Sequence, residues 1–170
     1  RYQPRSRGLG DVYKRQIQQL RDIRKLKARI ENERVGRGAD PKTQLKMGPG
    51  GLADVEWTIQ LLQMRHGHRL PALRTTSSMD ALEAAQSHEL LSVTQARYLR
   101  EAWTLASRIR NATMLSRARP SDSIPSDARD RGNVGYLLGR PPETSAELVD
   151  DWLRVARRAT GVVEDLFWRG

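Results

Sequence analysis

The sequence has no cysteine, and this absence excludes disulfide bonds and thiolate metal sites. Aromatic residues make up only 5% of the chain, and they do not alternate with the basic residues as base-stacking platforms would. No stretch approaches the roughly 20 apolar residues that a membrane-spanning helix needs. The amino-terminal residues show no apolar core of the signal-peptide kind. These absences predict a cytoplasmic protein with no membrane contact, and they disfavour nucleic acid as its partner.

Positive charge is in surplus, with 30 Lys and Arg residues against 20 Asp and Glu residues and a net charge of +10. A surplus of this size attracts polyanions such as nucleic acid, nucleotide phosphates or an acidic protein surface. Composition alone does not rank these partners. The length of 170 residues suits one domain with a hydrophobic core.

The amino-terminal segment differs from the rest of the chain. Residues 1–15 read RYQPRSRGLGDVYKR, a basic stretch that Gly and Pro interrupt and that shows no apolar period. The segment GDVYKRQ also resembles a translated sequencing-adapter tail. We therefore predict that residues 1–16 are disordered or non-native, and that residues 17–170 form a helical domain.

Apolar residues recur with the period of an amphipathic helix through most of the remaining chain. No segment shows the strict alternation of a half-buried strand. The helix after Gly51 is apolar on more than one face, and it should be the most buried element. The sequence therefore predicts an all-α fold, a bundle of five to six helices. The predicted helices cover residues 16–34, 52–65, 77–87, 93–117, 126–138 and 145–168.

Local signals mark the ends and interruptions of these helices. Ser92 with Gln95 fits a capping box at the start of the fourth helix. Thr144 with Glu147 fits a second capping box at the start of the last helix. Two glycines, at positions 132 and 135, are expected to break the fifth helix.

The most unusual stretch is LKMGPGGLADVEW, which covers residues 45–57 and leads into the second helix. Gly and Pro clusters usually mark a turn before a helix, which is one interpretation. The alternative is a site for phosphate or substrate. In that case Gly48, Gly50 and Gly51 would let backbone N–H groups approach an anion, and Lys46 would add a full positive charge. The stretch is neither a Walker sequence nor a dinucleotide fingerprint, because no Gly-Lys-Ser/Thr follows it and no strand precedes it.

Two carboxylates, Asp54 and Glu56, stand in the first turns of that helix. Residues two apart on a helix point about 200° apart, so these two side chains do not bind one metal ion together. We expect one of them to face a site and the other to pair with a base elsewhere. Under the turn interpretation, both simply suit the positive end of the helix.

No metal site is predicted. His66 and His68 diverge on a helix, and neither a carboxylate nor a third histidine is near them in sequence, so a surface or capping role is favoured over zinc. Arg110 belongs to a basic series on the fourth helix. Such a series usually forms a solvated face, and contact with a nucleotide or a partner is the alternative.

Several segments together resemble one protein family. They are RGADPKTQLKMGPGGLADVEWTIQLLQMRHG, SSMDALEAA, RIRNATMLSRARPSDSIP, LLGRPP and the final VVEDLFWRG. Over residues 17–170 the chain resembles the C-terminal portion of the glutamine synthetase adenylyltransferases, most closely the actinobacterial form. A related Gly-Pro-Gly-Gly-Leu-x-Asp run occurs in the PII uridylyltransferases, but the Val-Glu-Trp continuation and the flanking segments favour the adenylyltransferases.

The resemblance implies a part of a bifunctional enzyme. One half of such an enzyme removes AMP from a tyrosine of glutamine synthetase by phosphorolysis, and the other half transfers AMP from ATP to it. Each half pairs a helical domain with a nucleotidyltransferase domain, which holds Mg²⁺ on a Gly-Ser…Asp-x-Asp motif. This chain resembles the helical domain of the transferring half and lacks that motif. The resemblance therefore implies no catalytic residue here, and the isolated chain should be inactive.

The family resemblance also implies a role for the glycine stretch, which would face the nucleotide at the contact with the preceding nucleotidyltransferase domain. Lys46 would neutralise phosphate charge, and Asp54, with Glu56 as second choice, would fix Lys46 or a water on a bound metal ion. The full set of implied nucleotide-facing residues is Lys46, Gly48, Gly50, Gly51, Asp54, Glu56 and Arg110.

ATP and Mg²⁺ are implied as cofactors of the full-length enzyme only. The implied partners are glutamine synthetase and the preceding domain, with the PII signal protein as a further candidate. Two rival interpretations stay open. One is the helical domain of a PII uridylyltransferase, and the other is a basic helical module that binds nucleic acid or an acidic protein.

Overall fold

A computed structural model describes residues 18–30, 33, 40–141, 144 and 147–169. The chain divides into two compact units, residues 1–34 and residues 35–170. The first unit contains helix α1, which covers residues 18–30. Residues 1–16, which the sequence predicts to be disordered or non-native, lie outside the described residues. The predicted boundary between this tail and the helical domain, at residues 16 and 17, also lies outside them.

The described residues of the second unit form five α-helices. They are α2 (Leu52–His66), α3 (Ser78–Ser87), α4 (Val93–Arg117), α5 (Ala128–Leu137) and α6 (Glu147–Val163). Short 3₁₀ turns at Pro41–Thr43 and Pro71–Leu73 precede α2 and α3, and a π-helical turn, Glu164–Arg169, follows α6. The described residues form no β-structure except one antiparallel bridge between Gln44 and Ser123. The predicted all-α fold is confirmed.

Side chains at the helix starts supply the hydrogen bonds that free backbone N–H groups need. Ser92 and Gln95 form the predicted capping box at the start of α4, with each side chain accepting from the other's backbone N–H. Ser77 caps α3 by accepting from the N–H of Asp80. Asp127 caps α5 by accepting from two N–H groups of its first turn. These caps explain why the predicted helix starts lie close to the observed ones.

Two predictions about the later helices need correction. Helix α5 continues through both of its glycines, at positions 132 and 135, because neither one is needed for a turn there. The second predicted capping box, Thr144 with Glu147, includes residues outside the described part of the chain and stays a prediction, while the hydroxyl of Thr144 donates to the carbonyl of Pro141. Helix α6 ends at Val163 and gives way to the π-helical turn, so it is shorter than predicted.

The core of the second unit lies between α2, α4, α5 and α6. Helix α2 has the largest buried share among α2–α6, with seven of its fifteen residues buried, as its two-faced apolar pattern predicts. Trp152 of α6 is fully buried at the centre. No helix in the described part of the chain is long and apolar enough to span a membrane. The buried cluster around Trp152 contains Leu45, Leu52, Ala106, Ile109, Ala112, Ile124, Val134, Leu148 and Ala156.

Candidate functional site

The glycine stretch forms a tight loop, residues 45–51, between the first 3₁₀ turn and α2; we call it the glycine loop. Backbone hydrogen bonds hold it at both ends. The N–H of Leu45 donates to the carbonyl of Asp122 at 2.7 Å, and the N–H of Leu52 donates to the carbonyl of Leu45 at 3.0 Å. The segment around Ser123 therefore supports the loop from a distant part of the chain.

Two of the three glycine amides that were expected to bind an anion, those of Gly50 and Gly51, are already used inside the protein. The N–H of Gly50 donates to Oδ2 of Asp54 at 2.7 Å. The N–H of Gly51 donates to the carbonyl of Gly48 at 2.9 Å, and the N–H of Ala53 donates to the carbonyl of Lys46 at 3.0 Å. In this conformation the amides of Gly50 and Gly51 are therefore not free for a phosphate, and whether these glycines face a nucleotide stays a prediction.

The glycines are required by close backbone packing instead. A Cβ atom at Gly50 would lie 2.2 Å from the carbonyl oxygen of Ala156 in α6, and Gly50 has a left-handed φ of +70°. A Cβ atom at Gly48 would lie 2.4 Å from the carbonyl oxygens of Pro41 and Gln44. No side chain fits in either space. The loop is therefore pressed against its own turn on one side and against α6 on the other.

The two carboxylates of α2 have different surroundings. Asp54 is buried, and its side chain accepts a hydrogen bond from the Gly50 N–H. It therefore ties the loop to the first turn of α2 and is the inward-facing carboxylate. Glu56 is half-buried, and the described residues give it no ion pair. Lys46 is half-buried beside the start of α2. The structure gives Asp54 a hydrogen bond with Gly50, and its expected contact with Lys46 stays a prediction.

Arg110 stabilises the segment behind the loop. Its Nε and Nη2 atoms both lie 2.8 Å from Oδ1 of Asp122. Because the carbonyl of Asp122 accepts the N–H of Leu45, this ion pair supports the glycine loop indirectly. Arg110 belongs to the basic series noted in the sequence, but no sequence pattern indicated that it pairs with Asp122.

A groove of about 430 Å³ lies between the glycine loop and α6; we call it the loop groove. Its volume falls within the range of small-molecule sites. Lys42 and Arg157 are exposed cations on its lining, and within the described part of the chain neither side chain makes a hydrogen bond or ion pair. Neither residue was predicted as a site residue, because their proximity depends on how α6 packs. The lining also includes Pro49, Leu153, Ala156, Thr160 and Glu164.

Comparison with known proteins places the chain in a family. A family model described as GlnD PII-uridylyltransferase matches residues 23–167. The chain belongs to that family. Over 88% of its own length, the chain is 53% identical to a bifunctional glutamine synthetase adenylyltransferase/adenylyl-removing enzyme of Streptomyces coelicolor. The identity is 51% to the enzyme of the same name from Cutibacterium acnes and 46% to that from Mycolicibacterium smegmatis, over 88% and 87% of the chain.

These relatives confirm the resemblance to the actinobacterial adenylyltransferases that the sequence motifs indicated. They also favour the adenylyltransferase interpretation over the uridylyltransferase one. The chain spans 15% of the length of these three relatives.

The family resemblance implies ATP and Mg²⁺, and the residues that the structure describes do not fit the metal ion. The described residues contain no group of three or more His, Asp or Glu side chains that could hold one. His66 is partly buried beside Arg65, Arg69 and His68; burial first, and then these neighbouring groups, lower its pKa. The glycine loop likewise lacks free amides at Gly50 and Gly51 for a triphosphate. A direct contribution to a nucleotide would come from side chains at the loop.

Proposed function

We propose that this chain is the helical domain of the AMP-transferring half of a glutamine synthetase adenylyltransferase. In this proposal the preceding nucleotidyltransferase domain holds ATP and Mg²⁺ and carries the catalytic carboxylates. The helical domain completes the site from the other side, and alone it has no transferase activity. The substrate protein is glutamine synthetase, as the names of the relatives indicate for those proteins.

The observation that carries the proposal is the rigid glycine loop. Its backbone is held by Asp54, by the Asp122 carbonyl and by contact with Ala156, so its position is set before any ligand binds. A rigid element loses little entropy when a partner docks on it. The family resemblance implies that this loop faces the nucleotide, and the rigidity of the loop suits such a role.

The charges around the loop suit an anionic ligand. Lys46 at the loop, with Lys42 and Arg157 at the loop groove, provides positive charge next to the proposed contact with the neighbouring domain. Charge that develops on a transferring phosphoryl group is stabilised by fixed cations of this kind. Lys46 is assigned this role first because it stands within the family's motif. Glu56 is the remaining carboxylate at this end of α2, and Gly48, Gly50, Gly51, Asp54 and Arg110 hold the loop in place.

Two further partners belong to the proposal. The loop face would dock on the nucleotidyltransferase domain of the same polypeptide, and the PII signal protein would act as a regulator. The second candidate function is the modification of PII by uridylyl transfer, which the description of the matching family model favours. The two functions differ in the nucleotide and the protein that are consumed, so one assay separates them.

The test uses the full-length parent protein with Lys46→Ala. The expected result is a loss of at least about tenfold in the rate of AMP transfer. This loss should be smaller than the 10²–10³-fold that follows removal of one hydrogen-bond donor from an enclosed oxyanion hole. The measurement follows label from ATP into purified glutamine synthetase, with a parallel arm of labelled UTP and purified PII protein.

Lys25→Ala is the matched control, because Lys25 is an exposed lysine outside the glycine loop. It should transfer AMP at the wild-type rate, and both variants should keep the wild-type circular dichroism spectrum. An unchanged rate in Lys46→Ala would remove Lys46 from the mechanism. Label that appears in PII rather than in glutamine synthetase would replace the adenylyltransferase function with the uridylyltransferase one.

A further inference from the structure

A second groove, of about 390 Å³, lies between α4 and α6; we call it the arginine groove. It shares no lining residue with the loop groove. Four of its lining residues are charged, three of them arginines, and its apolar lining comes from one residue of each helix. The residues used below are Arg97, Arg100, Glu101, Leu105, Arg108 and Val155.

Positive charge in the arginine groove is only partly compensated. Three arginines face one carboxylate, Glu101, which leaves an excess of two positive charges (3 − 1 = 2). Glu101 pairs with Arg97 at 3.6 Å, and 54% of the Arg97 side chain remains exposed. Arg108 is exposed, and within the described part of the chain its side chain has no hydrogen bond or ion pair. The groove can therefore bind an anionic partner without first breaking a strong internal ion pair.

Helix α6 extends the positive charge beyond the groove. The guanidinium of Arg158 lies 5.4 Å from the centre of the Tyr98 ring, and the guanidinium of Arg97 lies 4.9 Å from the same ring. Arg158 is three residues after Val155, so the two share a face of α6. The aromatic ring is thus already occupied by two cations and is not available to stack on a nucleic-acid base.

The length of the groove and its apolar lining indicate what kind of partner fits. From Arg97 to Arg108, α4 advances about 16 Å at its normal rise per residue, which is too far for one phosphate to contact both ends. Leu105 and Val155 are half-buried between the charged residues. A nucleic-acid backbone offers charge but no apolar groups to cover them. A protein segment with acidic residues on one side and apolar residues on the other offers both.

We propose that the arginine groove is a docking site for an acidic amphipathic segment of a partner protein. Its carboxylates pair with Arg97, Arg100 and Arg108, and its apolar side chains cover Leu105 and Val155. This inference does not depend on the proposed AMP transfer, and its test consumes neither ATP nor UTP.

The test measures binding to the complete 170-residue chain by fluorescence anisotropy. The probe is a labelled helical peptide with glutamates along one face and leucines along the other. A peptide of the same composition in scrambled order and a single-stranded oligonucleotide of equal charge are run beside it. The patterned peptide should bind at least several-fold more tightly than the scrambled one.

The decisive variant is the triple substitution Arg97→Gln, Arg100→Gln and Arg108→Gln. A single exposed charge pair contributes roughly a 1.5- to 5-fold factor in affinity, so the loss of three should weaken peptide binding about tenfold. The matched control is the triple substitution Arg69→Gln, Arg119→Gln and Arg129→Gln, which removes the same charge from exposed positions outside the groove. Its affinity for the patterned peptide should stay within about twofold of wild type.

Val155→Thr separates a protein segment from a simple polyanion. It keeps the shape of the side chain but replaces a methyl group by a hydroxyl, so peptide affinity should fall several-fold while oligonucleotide affinity stays unchanged. The proposal is overturned if the patterned peptide does not bind, or if the control triple variant loses as much affinity as the groove variant. It is also overturned if the oligonucleotide binds more tightly than the peptide and Val155→Thr affects neither.

Discussion

At the scale of single residues, Gly50 shows how a distant backbone group can determine the identity of a loop residue. Its left-handed φ alone disfavours most side chains. The carbonyl of Ala156 adds a steric limit, since it occupies the place where a Cβ atom would stand. Asp54 then accepts the Gly50 N–H. Two of these constraints are local to the loop and the start of α2, and the third comes from α6, more than a hundred residues later.

Gly50→Ala should therefore destabilise the fold strongly. We expect a loss of about 3–5 kcal/mol in the free energy of unfolding, from left-handed strain together with the clash against backbone. Gly139→Ala is the control, because Gly139 also has a positive φ, +78°, but a Cβ atom there would meet nothing within 4 Å. It should lose about 1–2 kcal/mol. Urea unfolding followed by circular dichroism measures both, and equal losses would mean that the contact with Ala156 has no energetic role.

At the scale of elements, α6 is the helix around which the second unit is organised. It packs against α4, α2 and the first 3₁₀ turn, and its Ala156 carries the contact with the glycine loop. Its first turns are also tied to the segment after α5 by an ion pair between Arg140 and Asp151, each about a quarter exposed. Arg154 contacts the same carboxylate from within α6. This small cluster fixes where α6 begins relative to α5.

The pKa of Asp151 makes that connection sensitive to pH. Burial acts to raise the pKa, but the hydrogen bond and charge of Arg140, with those of Arg154, outweigh it and hold the pKa below its ordinary value. A carboxylate with a lowered pKa stabilises the folded state above its unfolded pKa, and the stabilisation is lost as the pH falls through the folded pKa.

Asp151→Asn should accordingly cost about 1 kcal/mol of unfolding free energy at pH 7, since the pair is partly exposed. The difference from wild type should shrink as the pH falls below about 4, the ordinary pKa that the carboxyl has in the unfolded chain, and on through the lower folded pKa. Asp150→Asn, at the exposed neighbouring position, should show a much smaller effect. A difference between Asp151→Asn and wild type that persists undiminished at pH 2.5 would contradict this account.

At the scale of the whole molecule, Trp152 joins the two ends of the second unit. Its ring is fully buried in the core, and its Nε1 donates to the carbonyl of Lys42 at 3.0 Å, 110 residues earlier in the chain. Trp103, on α4, packs on the same core, but its buried Nε1 has no hydrogen-bond partner among the described residues. Two tryptophans of one core therefore differ in whether their N–H group is paired.

This difference predicts unequal effects of the same substitution. Trp152→Phe leaves the Lys42 carbonyl without its donor and reduces packing, so it should cost about 2–4 kcal/mol of unfolding free energy. Trp103→Phe removes an unpaired buried N–H, which offsets part of the lost packing, and should cost about 1 kcal/mol or less. Urea unfolding followed by circular dichroism tests this. A larger cost for Trp103→Phe would show that its N–H is paired in solution.

The helices could be predicted from the sequence because their signals are local. The 3.6-residue period, the Ser92–Gln95 capping box and the two-faced apolar pattern of α2 all lie within the elements they describe. The end of α6 was less predictable, because the apolar pattern continues through the π-helical turn that follows it.

The glycine loop shows what the sequence could not decide. Its residues were recognisable as unusual, but a turn and an anion site use the same glycines, and the choice depends on which acceptors lie near their amides. The acceptors of the Gly50 and Gly51 amides, Asp54 and Gly48, are local, but the Asp122 carbonyl that holds Leu45 and the Ala156 carbonyl that excludes a side chain at Gly50 come from far along the chain. They reach the loop only when α4 and α6 pack. The sequence by itself determined the all-α class, the helices and the family. Tertiary packing decided that Gly50 is held by Asp54 and Ala156, that Arg110 supports the loop through Asp122, and that Lys42 and Arg157 line one groove.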